Sequence, residues 1–169
     1  MKKIFISLVS LLVFTSCVLH VYRFTSVNYN NSRISISAGL VNSEDEKSPV
    51  EYIGVSDVRS NVNTPHKVKI LSSTIKIIDS NNKEYIAKTN SNSGYIHIYK
   101  QGVVITNDFK AYIGKVQLDD GTIIDIPPLS FKKTVYVERY SVISDTINAG
   151  GSGKEIFSGT VEDYKKQKK

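Results

Sequence analysis

Lys115-Val116-Gln117-Leu118-Asp119-Asp120-Gly121-Thr122-Ile123-Ile124-Asp125-Ile126-Pro127-Pro128 decides the fold class. Apolar and polar residues alternate on the first arm, the period-two pattern of a half-buried strand, the second arm is isoleucine-rich, and an acidic, glycine-containing turn joins them. Two registers compete. A two-residue loop, Asp120-Gly121, would pair Val116 with Asp125 and set a carboxylate on the apolar face. A three-residue loop, Asp119-Asp120-Gly121, pairs Val116 with Ile124, opposes Lys115 to Asp125, and puts Gly121 at the left-handed third loop position. The second register is the one expected. Pro127-Pro128 then closes the strand, because neither residue can donate a ladder hydrogen bond.

The same period extends outward on both sides. Arg33-Ile34-Ser35-Ile36-Ser37-Ala38 and Lys67-Val68-Lys69-Ile70 alternate cleanly, and further strands are expected at 50–58, 74–79, 84–88, 95–99, 110–118, 122–126 and 134–143. A second hairpin turns at Ser80-Asn81-Asn82-Lys83. Nothing between 33 and 145 sustains a helical period. Many short strands separated by Asn, Ser, Asp, Gly and Pro predict an all-β domain, a single antiparallel β-sandwich over 33–145. An immunoglobulin-like arrangement is compatible with the strand count, although one Cys and no Trp exclude the Cys…Trp…Cys core. Residues 146–169 read as a flexible, glycine-containing and basic tail. Within it, Thr160-Val161-Glu162-Asp163 is expected to cap one short helical turn.

Charge divides by position. The 169 residues hold 22 Lys and Arg against 16 Asp and Glu. Six of the lysines are terminal: Lys2, Lys3, Lys165, Lys166, Lys168 and Lys169. Without them the body has 16 basic and 16 acidic groups. A broad basic face is therefore not required, and nucleic acid is not an expected partner.

At the start, Met1-Lys2-Lys3 precedes an apolar run from Ile4 to Phe14, the layout of a secretory signal peptide over residues 1–16. Phe14-Thr15-Ser16-Cys17 follows. This resembles the lipobox of bacterial lipoproteins, in which a large apolar residue and two small ones precede a cysteine. The resemblance implies cleavage before Cys17, a diacylglycerol thioether on its sulfur and acylation of the new amine. It implies a location in the cell envelope, on the periplasmic or outer surface. Val18, where an Asp would mark inner-membrane retention in enteric bacteria, favours the outer membrane. Residues 17–32 then form the lipidated end and a tether. A second reading stays open: residues 4–22 are largely apolar, close to the roughly 20 that span a bilayer as an uncleaved helix.

Sites of chemistry are scarce. Asn148-Ala149-Gly150-Gly151-Ser152-Gly153-Lys154-Glu155 departs from a phosphate loop at its first glycine and at the magnesium-binding hydroxyl. His20, His66 and His97 have no metal-motif spacing, and Glu44-Asp45-Glu46 and Asp119-Asp120 read as a solvated loop and a turn. No catalytic residue, metal or cofactor is expected. The informative feature is tyrosine. In Gly94-Tyr95-Ile96-His97-Ile98-Tyr99, alternation puts Tyr95, His97 and Tyr99 on one face and the isoleucines on the core face. Tyr136, Glu138 and Tyr140 oppose Val135 and Val137 in the same way. Such a stripe suits a sugar or a protein partner, while the plainer account is cross-strand stabilisation of a two-sided sheet. Lys165, Lys166, Lys168 and Lys169 are candidate contacts to an anionic surface. The expected function is non-catalytic binding or scaffolding at a membrane. The alternatives are an inhibitor or immunity-type protein that blocks an envelope enzyme and, in another class, an envelope hydrolase.

Overall fold

The computed structural model describes residues 16–27, 29, 31–61, 63–90, 93–141 and 153–168. The signal segment before Ser16, Lys169 and most of the glycine-rich stretch lie outside them. The fold is all-β with antiparallel pairing: β1 (Ser16–Ser26), β2 (Ile34–Leu40), β3 (Val50–Asp57), β4 (Val68–Ile70), β5 (Thr74–Asp79), β6 (Glu84–Lys88), β7 (Tyr95–His97), β8 (Phe109–Tyr112), β9 (Gly114–Leu118), β10 (Ile123–Ile126), β11 (Leu129–Ser141) and β12 (Lys154–Thr160), followed by helix α1 (Val161–Gln167). The chain divides into two compact units, Tyr22–Thr134 and, separately, Met1–Val21 with Val135–Lys169.

In the larger unit the strand order is β6-β5-β8-β11-β1-β2-β3-β7, beside a three-stranded sheet β10-β9-β4. The β9–β10 hairpin adopts the three-residue register: Val116 pairs with Ile124 and Lys115 with Asp125. Gly121 has φ +84°. The Ser80–Lys83 turn also forms, with Ile78 opposite Glu84. The expected strand at 110–118 is broken at Gly114, whose φ of +79° separates β8 in the larger sheet from β9 in the smaller. Alternate residues fill one core, among them Ile53, Val55, Ile75, Ile77, Ile96, Val116, Leu118 and Phe131.

Two boundaries differ from expectation. Residues 17–32 were expected to tether the domain, yet β1 runs through Ser26, and Tyr22 and Phe24 are buried. The alternating aromatic rings outweigh the polar flank. Residues 16–22 of the stretch compatible with a spanning helix are extended, and among the described residues no helix is long and apolar enough to cross a membrane.

Lys133 is one of the buried charged side chains. Lys133, 6% exposed, donates from Nζ to the backbone oxygens of Glu46, Ser48 (3.3 Å) and Thr106 (2.7 Å). Its ammonium also lies 5.4 Å from the Phe24 ring centroid.

In the smaller unit β12 pairs with β11. Residues 154–167, expected within a flexible tail, are a strand and a helix. Thr160 caps α1 by accepting from the Asp163 amide at 3.2 Å. Tyr164 anchors the helix: its hydroxyl lies 2.8 Å from His20 Nε2 and its ring 5.1 Å from Phe157.

Candidate functional site

The Tyr95–Tyr99 segment is built as its alternation indicates. Tyr95, His97 and Tyr99 are exposed above buried Ile96 and Ile98. Tyr99 leaves the strand and opens a 3-10 turn, Tyr99–Gln101. Pairing of β7 with β3 opposes His97 to Tyr52 and Tyr95 to Gly54. Tyr52 thus joins the stripe, its ring centroid 5.5 Å from that of Tyr95 and 6.3 Å from that of His97. Sequence reasoning missed Tyr52, because only the register brings it there.

Two of these rings have a structural task. A Cβ on Gly39 would come within 2.3 Å of the Tyr52 ring, and one on Gly54 within 2.8 Å of the Tyr95 ring. Each tyrosine therefore lies over the bare backbone of its neighbour, where a side chain would otherwise supply cover. Tyr95 and Tyr99 still keep 46% and 45% of their surface in solvent. Beside them a cavity of about 340 Å³ is lined by Lys88, Asn90, Ser93, Tyr95, His97 and Gln101, among others.

A second constellation joins distant parts of the chain. The turn that supplies Asp119 and Asp120 meets Arg33, Asp57, Arg59 and His66. Asp57 is 2% exposed and is gripped by Arg59, with Nη2 to Oδ2 at 2.6 Å and Nε to Oδ1 at 3.0 Å. Arg59 Nη2 also lies 3.6 Å from Asp119 and 3.8 Å from Asp120. Arg33 pairs with Asp120 at 2.6 Å, and His66 Nδ1 lies 2.5 Å from Asp119 Oδ2. The hydrogen bonds from Arg59 hold the Asp57 carboxyl down at about 2, against the opposing effect of its burial. Asp120 is lowered as well, first by Arg33 and then by Thr122.

Oxygens of Asp57 and Asp119 and a nitrogen of His66 fall within 4.8 Å of one another, close enough to share a cation. The guanidinium of Arg59 already stands against both carboxylates, so a metal would have to displace it. The arrangement does chemically what a clamp does. It ties the segment after β3 and the start of β2 to the β9–β10 turn.

The other expected positions are dispersed. Cys17 is an exposed free thiol near the start of β1. Tyr136 and Tyr140 both donate to Glu138, Tyr136 at 2.5 Å. These bonds lower the Glu138 carboxyl and, with burial, push Tyr136 up to about 12. Lys166 pairs with Glu162 at 3.0 Å, and Lys168 lies 4.5 Å over the Tyr164 ring. Lys165 is exposed on α1, and Lys169 lies outside the described residues. No protein-family model, no curated protein and no solved structure matches the chain.

Proposed function

We propose that the protein is a small exported lipoprotein of the bacterial envelope, lipid-anchored at Cys17, whose β-domain is a non-catalytic binding module at a membrane surface. The anchoring half rests on the charged, apolar and lipobox-like succession that ends at Cys17. Val18 favours the outer membrane. The binding half is carried by one observation: Tyr95 and Tyr99 stand half-exposed around His97, beside a cavity, above an isoleucine face that is wholly buried. Tyrosine offers large contact area with few rotatable bonds, the chemistry of protein and glycan recognition. We also take Tyr22–Thr134 as a β-sandwich, because residues of both its sheets belong to one core.

In-cell crosslinking of the tagged, lipidated protein tests the binding half. The wild type is expected to capture an envelope partner. The Tyr95→Ser/Tyr99→Ser double variant, still cooperatively folded although at a lowered urea midpoint, is expected to lose it. Capture of the same partner by the folded variant would remove the tyrosine face from the function.

A further inference from the structure

The two ends of the eight-strand order, β6 and β7, approach each other without pairing as strands. The direction of their backbone groups follows from their neighbours. Asp79 N–H donates to Lys83 O, so the odd-numbered residues of β6 bond toward β5. Hydrogen-bonding direction alternates along a strand, and Glu84, Ile86 and Lys88 therefore turn their N–H and C=O groups to the free edge. On β7, the bonds from Ile98 N–H to Glu51 O and from Val55 N–H to Gly94 O fix the even positions toward β3. Tyr95 and His97 accordingly face outward, toward β6.

One side chain sits between these edges. The Gln101 carboxamide accepts from Lys88 N–H at 2.7 Å, and its Nε2 donates to Lys88 O at 3.0 Å and His97 O at 3.1 Å. A carboxamide is chemically a peptide group, and here it makes the pair of bonds to Lys88 that a residue of an added antiparallel strand would make. Beyond it, the outward groups of Ile86 and Glu84 face no partner strand among the described residues.

We propose that the free edge of β6 takes an extended peptide segment of a partner protein as an added antiparallel strand, with Gln101 holding the first ladder position until the peptide displaces it. Strand addition of this kind draws affinity from main-chain bonds and selectivity from alternate side chains. Ile86 is 61% exposed on the solvent face of β6, beside exposed Lys88. Among the described residues, the cavity lining at the Lys88 end contains no carboxylate. An acidic residue opposite Lys88 and an apolar one opposite Ile86 are the complement. The inference rests on the binding reading above and narrows its partner to a polypeptide.

The test uses the full chain in detergent micelles and the capped peptide Ser-Glu-Thr-Val-Thr-Thr-Ser, which in antiparallel register sets Glu opposite Lys88 and Val opposite Ile86. At saturation the Ile86 amide should exchange with solvent about tenfold more slowly. The same peptide N-methylated at Glu and Val, which removes the ladder donors, and the reversed sequence should leave that rate unchanged. Gln101→Ala should bind the first peptide several-fold more tightly, because nothing has to be displaced. Unchanged exchange at Ile86 in the wild type, or equal slowing by the N-methylated peptide, would overturn strand addition. Weaker binding by a folded Gln101→Ala would overturn the placeholder role. A null result here alongside a tyrosine-dependent crosslink removes this inference alone; a crosslink indifferent to Tyr95 and Tyr99 removes the reading beneath it.

Discussion

Asp57 and Lys133 show what a buried charge needs in this fold. Asp57 is held by a two-pronged guanidinium, and its carboxyl titrates near 2 where an unfolded aspartate titrates near 3.8. A group lowered in the folded state stabilises it at every pH above the unfolded value and surrenders that stability as the pH falls through the folded one. Urea midpoints should therefore drop between about pH 4 and pH 2, and Asp57→Asn should flatten that slope, since it cannot titrate. An equally steep acid limb in the variant would assign the loss to other carboxyls. Lys133 donates to three backbone carbonyl oxygens and lies against an aromatic ring. Lys133→Met keeps the apolar stem but orphans those carbonyls, at an expected cost of about 2–4 kcal/mol in denaturant titration. The expected strand began at 134, so the burial of Lys133 follows only from β11 starting at Leu129, which puts Leu129, Phe131 and Lys133 on one face.

At the scale of elements, legibility followed the strength of the local signal. The β9–β10 register could be read because a one-residue slip would have buried Asp125 beside Val116, and Gly121 removes the penalty of the left-handed turn. An alanine there would have open space, with nothing within 4 Å of its Cβ, so its cost is conformational alone. Gly121→Ala should destabilise by roughly 1–2 kcal/mol, with the same unfolding slope. A loss beyond that would mean the hairpin register itself had moved. β1 was hidden because its apolar residues continue the signal run, which masks a period of two. β12 was hidden for the opposite reason, having no fully buried residue to set a period. The clamp could not be read at all. Arg33 and Asp120 lie 87 positions apart and meet only once strand pairing has placed them, and neither carries a local motif. Gln101 escaped for the same reason: a lone glutamine after a tyrosine stripe says nothing until the edges of β6 and β7 are in place.

For the whole molecule, the excess of basic residues belongs to its ends. Removal of residues 1–16 would take Lys2 and Lys3 with it, leaving 20 basic and 16 acidic side chains. The four lysines of the C-terminus account for that difference, and three of them stand in or just after α1. The Lys166–Glu162 pair is exposed, and such pairs contribute little, on the order of 0–1 kcal/mol, so an anionic surface could draw the lysine away. If Cys17 carries the proposed lipid, that contact is secondary to it. A thioether-linked diacylglycerol together with an amide-linked acyl chain holds a protein at a membrane far more firmly than one chain does. The lipoprotein reading and the uncleaved-helix reading differ in what happens at Cys17, and one labelling experiment separates them. Cells fed labelled palmitate should incorporate it into the wild type, whose intact mass should lack residues 1–16 and gain the lipid. Cys17→Ala should remain unlabelled and keep its full length. An uncleaved helix requires both chains to keep residues 1–16 without label, and a labelled Cys17→Ala protein would show that the lipid sits elsewhere.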